Sequence, residues 1–475
     1  MFSLLSEKTS NLIKIFGFCL ILLVVYILVY LFNLQDCIQF SLFLFIVLSA
    51  LTVGCSLHRQ YDSEKLVAYI LFIGFVVRIG YMLYTPCTTM GHDFEGHAAY
   101  IQNMLDGHLP ESNEDQFYHP PLFYFLSAVV IFILKPILGL TNEIDIINCA
   151  RLVSCFFSCM TLYCVKSLCT ELKIKKPIPL ALTAFLPNFF FMGTRVNNDA
   201  IVVFFMTMIL LYSIRWYKEQ NRKNTVILAL SFGLGMMSKM SVAVLAIPTG
   251  LLMLYVLAES IKTRTSSKTI KSLFLFGFIC IPLGLAYPIR NLILFDQPFT
   301  YVLDVGSGIF ASENYSFIQR FLTFPITRMF NPVYNDVFND YNIWMYLLKG
   351  GLFGEFSFDI PRAIPVSLLI LYSIISLFMV ISVIWSLRTD NISINYLELS
   401  GIELMFAYIA FNIRYPYGCT MDFRYIAPVF IINSLLLGRF FDLNKDKKYG
   451  KPLYHVTSAV ISIFSLLSLL LLCII

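Results

Sequence analysis

Apolar residues run along this chain in blocks about as long as a bilayer is thick, separated by short polar breaks. A helix needs about 20 apolar residues to cross the hydrocarbon core, within a range of about 17–25. Blocks of this kind lie at roughly 12–32, 38–57, 66–84, 147–170, 178–193, 199–215, 225–238, 240–258, 270–288, 363–387, 395–412, 425–441 and 454–475. One more, 122–134, is apolar but short; Pro120–Pro121 leads into it and Lys135–Pro136 closes it. If that segment does not cross, every basic loop falls on one side: the N-terminal lysines, Arg59 and Lys65, Lys173–Lys176, Arg215–Lys223, Lys262–Lys271 and Lys445–Lys451. By the positive-inside rule that side is cytoplasmic, and counting 122–134 as a span would split the basic loops between both faces. The pattern predicts an all-α polytopic membrane protein with about thirteen transmembrane helices, the N-terminus inside and the C-terminus outside. Segment 122–134 is expected to lie along the outer interface. The first block lacks a small-residue cleavage site and a second apolar block follows at once, so it reads as an uncleaved span rather than a signal peptide.

Composition agrees with the pattern. Hydrophobic residues make up 58% of the 475 and charged residues 13%, with mean hydropathy +0.76, against about 45–50% and about 25% in soluble domains. A water-soluble fold is excluded. The net charge of +5 is sorted by loop, which argues for membrane lipids and against nucleic acid as a partner. The 12 cysteines are scattered through apolar stretches without metal-type spacing, as small apolar residues would be. No glycine-rich nucleotide loop follows a strand-like segment.

Two long segments remain for the outer face, 85–146 and 289–362. The first is acidic and reads GHDFEGHAAYIQNMLDGHLP followed by ESNEDQFYHPPLFYFL. It holds four of the chain's 6 histidines, His92, His97, His108 and His119, with Asp93 and Glu95 between the first two. Carboxylates and imidazoles this close offer either a general base or oxygen and nitrogen ligands for a divalent cation, with His92, Asp93, Glu95 and His97 as the candidate set.

These residues resemble a family. The D-x-E-G-H-x-x-Y-I run from Asp93, a G-x-L-P ending at Pro110 and F-Y-H-P-P-L-F-Y-F from Phe117 are similar to the first outer loop of GT-C glycosyltransferases. The branch most resembled is that of the protein mannosyltransferases and aminoarabinose transferases, glycosyltransferase family 39. Further along, T-R-V-N-N-D-A (194–200), G-L-G-M-M-S-K (233–239), Arg290-Asn291 with Pro298-Phe299, and Arg424-Tyr425 with Pro428 resemble later family motifs in the same order. The likeness runs from about residue 66 to 440. Spans 12–32 and 38–57 precede the span that leads into the loop, more than in the simplest members, and Asp93-Phe94-Glu95 stands where many have adjacent acids.

The resemblance implies an integral-membrane glycosyltransferase that moves a sugar from a polyprenyl-phosphate donor to an acceptor hydroxyl, on a lipid, a glycan or a protein. It implies two N-terminal helices (1–65), a GT-C-like catalytic module (66–288) containing the outer loop, a second outer loop (289–362) and C-terminal helices (363–475). The expected setting is the outer face of a bacterial plasma membrane, or of the endoplasmic reticulum membrane in a eukaryote. A phosphate leaving group needs no strong acid; it needs cations to hold the departing charge and a carboxylate to deprotonate the acceptor. Charge parity alone puts Asp93, Asp199, Lys239, Arg290 and Arg424 at or near outer span ends. Asp93 is the expected base, with inversion at the anomeric carbon, and Glu95 the alternate base or its partner. Lys239, Arg290 and Arg424 are expected at the phosphate, with His97, His119, Asp199 and Tyr425 lining the substrate site. Each has a plainer role as well: Lys239 as an interfacial snorkeller, the arginines as span anchors, Asp199 as a helix cap. A divalent metal is a possible cofactor. Arg78, inside an apolar block, is expected to face the donor phosphate. A transporter or lipid-linked sugar flippase is the rival reading, but the outer loop has no repeat in the second half and the ionisable residues collect at the rim, not the midplane.

Overall fold

The computed structural model describes residues 2–57, 63–91, 93–299, 301–302 and 311–475. Among them every regular element is helical, so the chain is an all-α polytopic membrane protein. Arg59 and His92 lie outside the described residues. The chain opens with three long helices, α1 (Phe2–Leu31), α2 (Gln35–Leu57) and α3 (Ser63–Tyr84). A cap follows, made of α4 (Phe94–Leu105), a 3-10 turn (Asp115–Tyr118), α5 (Leu122–Leu138) and α6 (Glu143–Asn148). The central bundle comprises α7 (Arg151–Glu171), the broken pair α8 (Ile178–Phe185) and α9 (Pro187–Thr194), α10 (Asp199–Lys218), α11 (Arg222–Met236), α12 (Ala246–Lys262) and α13 (Ser266–Phe295). After the second long segment come α14 (Ile343–Phe353), α15 (Ala363–Ser386), α16 (Ile392–Arg414), α17 (Ala427–Asn444) and α18 (Gly450–Ile474).

Among the described residues nine helical stretches are long and apolar enough to cross a membrane. The remaining expected spans fall on α2, on the broken pair, on α11 and on α17, which are shorter, interrupted or enclosed. α10 packs between α7 and α11, and α17 is buried along nearly its whole length.

The two ends of the bundle differ. At one, Glu171 pairs with Lys218 (2.7 Å) and Arg215 (3.2 Å), and the Asp442 carboxylate accepts from the Lys175 amide (2.6 Å). At the other, Arg151 donates to the carbonyls of Thr85 and Thr194, clasping the ends of α3 and α9. α5 belongs to this second end at both its termini. Its first amide, Leu122, bonds the Met237 carbonyl just past α11 (2.9 Å). Beyond its far end, Asn148 donates to Tyr26 in the last turns of α1 (3.2 Å). It therefore lies along that end of the bundle, with Phe125, Val129, Phe132 and Ile137 as an exposed apolar stripe at helical spacing.

Arg78 does not reach the donor side. Its guanidinium is buried and donates to Ser158 Oγ (2.9 Å) and to the carbonyls of Gly74 (3.1 Å), Ala184 (2.9 Å) and Thr183 (3.1 Å). Pro187 has no N–H, so the Thr183 carbonyl loses its helical partner where α8 gives way to α9. Arg78 replaces that partner.

Candidate functional site

Asp93 sits immediately before α4 in a left-handed conformation (φ 57°), and its side chain makes no capping bond to the helix that follows. One turn on, a Cβ at Gly96 would collide with the Asp115 carboxylate. The glycine of D-x-E-G-H thus lets the 3-10 turn press against the start of α4. Tyrosines hold that turn: the Tyr100 hydroxyl is 3.0 Å from the His119 carbonyl and 2.9 Å from the Tyr287 hydroxyl, and Tyr287 donates to the Phe117 carbonyl (2.8 Å). His97 is buried with Nδ1 3.0 Å from the Tyr124 hydroxyl. Burial, more than the neighbouring charges, pushes its pKa down to about 3, and burial also holds His119 well below the usual imidazole range. Imidazoles so weakly basic stay neutral, which leaves proton acceptance at this end to carboxylates.

The second group of residues comes from the link between α9 and α10. The Asn197 side chain accepts from the Asp199 amide (3.1 Å) and donates to Asp199 Oδ2 (3.0 Å), while Asn198 donates to the Ser238 carbonyl (3.1 Å). The Asn-Asn-Asp sequence therefore folds into a rigid clasp facing the end of α11. Lys239 Nζ lies 3.0 Å from Asp199 Oδ1, and Arg424 Nη1 lies 3.6 Å from Oδ2. Glycines bring Lys239 there: a Cβ at Gly233 would fall 2.8 Å from Leu283, and one at Gly235 2.9 Å from Val242. Asp422 fixes Arg424 from behind, with Oδ2 3.3 Å from its Nε and Oδ1 accepting its backbone amide (3.1 Å). Deeper still lie Arg195, over the Phe356 ring at 4.6 Å, and Glu355, which accepts from Tyr346 (2.9 Å).

The two groups meet in one cavity of about 460 Å³. Asp93, His97, His119, Asp199, Lys239, Arg424 and Tyr425 line its polar part, and Met206, Val244, Leu404, Ala407 and Phe411 its apolar flank. Asp199 carries two ion pairs, so it is more than the helix cap considered above. Glu95 and Arg290 are not in the cavity wall. Glu95 is exposed in the first turn of α4. Arg290 donates to Asn291 Oδ1 (2.8 Å) and to the Pro110 carbonyl (2.6 Å) and so ties the G-x-L-P turn to α13. Among the described residues no three His, Cys, Asp or Glu side chains gather as a metal site.

Several residues of the wall had no signal in the sequence, Gln116, Gln297, Tyr301 and Arg414, while Tyr118 stood inside the F-Y-H-P-P motif without a role assigned to it. Asp422 had one, standing two positions before Arg424 in D-F-R-Y.

Residues 118–285 match the family described as dolichyl-phosphate-mannose-protein mannosyltransferase. Over this stretch the chain is similar to membrane glycosyltransferases of the GT-C type, family 39 in particular. The matched stretch carries His119, Asp199 and Lys239 of the cavity, while Asp93, Gln297 and Arg424 come to it from outside the match. No curated protein matches the chain.

Proposed function

We propose that this chain is a GT-C enzyme that transfers a sugar from a polyprenyl-phosphate donor to an acceptor hydroxyl in a single inverting displacement, on the outer face of the membrane. The observation that carries the reading is the shared cavity, with the Lys239 and Arg424 cations and the Asp93 carboxylate in its polar part and an apolar flank beside them. The flank suits the lipid, the cations suit its phosphate, and Asp93 suits the incoming hydroxyl. The anomeric C–O bond to phosphate breaks as the acceptor oxygen attacks from the opposite side. The hydroxyl proton passes to Asp93, and the phosphate leaves with its charge held by Lys239 and Arg424. Asp199, bonded to both cations, sets their spacing. The basic loops at the far end of the bundle support the outer-face assignment.

Membranes containing the chain, offered radiolabelled polyprenyl-phosphate sugars, test this directly. Wild type should release label from the lipid into a larger product. Asp93→Asn should lower that rate about 10²–10⁴-fold, the range for a lost general base. Asparagine tolerates the left-handed conformation, so the backbone is preserved. Lys239→Ala should weaken donor binding about 10–100-fold, as expected for a lost charge-assisted bond. Full activity in Asp93→Asn with loss in Glu95→Gln would move the base to Glu95. No release from any donor, with donor flipped across the membrane instead, would replace the reading by a flippase.

A further inference from the structure

Phosphate and base account for the two reacting ends of the cavity and leave its remaining wall unexplained. We propose that Gln297, which lines the cavity together with Tyr118 and Tyr301, recognises the donor's sugar, and that Arg290 and Asn291 are positioning residues that aim the Gln297 amide. This rests on the lipid-linked donor argued above and adds which residues read its sugar.

The argument starts from Arg290. A guanidinium can only donate, so the Asn291 oxygen must face it, as the 2.8 Å contact requires. The Asn291 nitrogen is then turned the other way and donates to Gln297 Oε1 (3.3 Å). That fixes the Gln297 amide in one sense, with its oxygen held by Asn291 and its NH2 left to the cavity that the side chain lines. Asn291 is fully buried and Gln297 is 9% exposed, so both are set in the wall rather than moving over it. Arg290 is anchored at its other nitrogen to Pro110, which explains why an arginine near the site does not enter it.

Tyr118 stands beside the path of reaction. Its ring lies 5.5 Å from Tyr301 and 4.0 Å from His119, and its hydroxyl is within electrostatic reach of Asp93 as well as of Arg424 and Asp199. A sugar between the phosphate cations and the base would pass this ring. Aromatic faces suit the electropositive C–H face of a sugar, and amide donors suit its hydroxyls. Among the described residues the carboxylates lining the cavity are Asp93 and Asp199, and Asp199 is paired with two cations. Gln297 itself is uncharged, so what it offers the cavity is a neutral amide donor suited to a sugar hydroxyl.

The test is a binding measurement on the purified full chain, with bare polyprenyl phosphate and with polyprenyl phosphates carrying mannose, glucose or galactose. Wild type should bind at least one glycosylated lipid more tightly than the bare one. Gln297→Met, of similar length and without the amide, should keep its affinity for the bare lipid and lose about three- to tenfold for the glycosylated one, as for one neutral hydrogen bond. Arg290→Ala should shift the same ratio in the same direction. Lys239→Ala should weaken all four lipids alike. A wild-type ratio retained in Gln297→Met, or no preference in wild type for any of the three sugars, overturns the proposal and leaves the donor reading standing. Failure of wild type to bind even the bare lipid overturns both.

Discussion

Burial holds the Glu355 carboxyl well above the usual carboxylate range. Burial raises its pKa most, the neighbouring Asp422 charge raises it further, and Arg424 and Arg195 only partly offset them, so that it is pushed up to about 8. In the unfolded chain the same group titrates near 4.5. Between those values the folded protein holds a proton that the unfolded one has released, so stability falls as pH rises through this window, by at most about 1.4 kcal/mol per pH unit. Glu355→Gln keeps an acceptor for Tyr346 and cannot ionise. The melting temperature of wild type in detergent should fall relative to this variant from about pH 5 to about pH 9; parallel curves would show that Glu355 titrates normally. An ionised Glu355 also adds a negative charge behind Arg424, so donor affinity should weaken only near the top of that range, as pH rises past about 8 where the folded protein releases the proton.

At the scale of the helices, the break between α8 and α9 explains why a cation is buried so far from the site. Arg78→Met would leave the Thr183 and Ala184 carbonyls without their donor, at about 1–3 kcal/mol for each buried group left unsatisfied. The variant should give less folded protein and a lower melting temperature, while the part that folds binds donor as wild type does. A selective loss of donor binding at unchanged stability would return Arg78 to the phosphate. The apolar pattern read 178–193 as one span and gave neither the break at Pro187 nor the side chain that satisfies it, which comes from α3 more than a hundred positions earlier. Local geometry similarly separates Asp93 from Glu95. One precedes α4 in a left-handed turn and the other lies in its first turn, so two positions in sequence become opposite sides in space. What could be read in advance was what charge parity controls: α5 at one end of the bundle, and Asp93, Asp199, Lys239 and Arg424 together at that end. Arg290 was correctly placed at that end, but its partners Asn291 and Pro110 depend on packing that no spacing rule conveys.

Across the whole molecule, α16 forms the side of the cavity that a lipid tail would follow. Ala407 and Ala410 are one helical turn apart on it, and both line the cavity between Leu404 and Phe411. Small side chains there leave room on the apolar flank of the cavity. Ala407→Trp should obstruct a long polyprenyl chain and lower transfer from it at least about tenfold, equivalent to about 1.4 kcal/mol, while a donor with a short, soluble chain is affected far less. Equal inhibition of both donors would mean that the tryptophan had distorted the polar part instead. Next to the cavity, α5 turns Phe125 and Phe132 outward, and its first residue directly follows the HPP turn, whose His119 and Pro120 line the wall. At a membrane surface such a helix would take its height from the surrounding leaflet. Transfer should then vary with the acyl-chain length of the bilayer, and equal rates in thin and thick bilayers would sever that link.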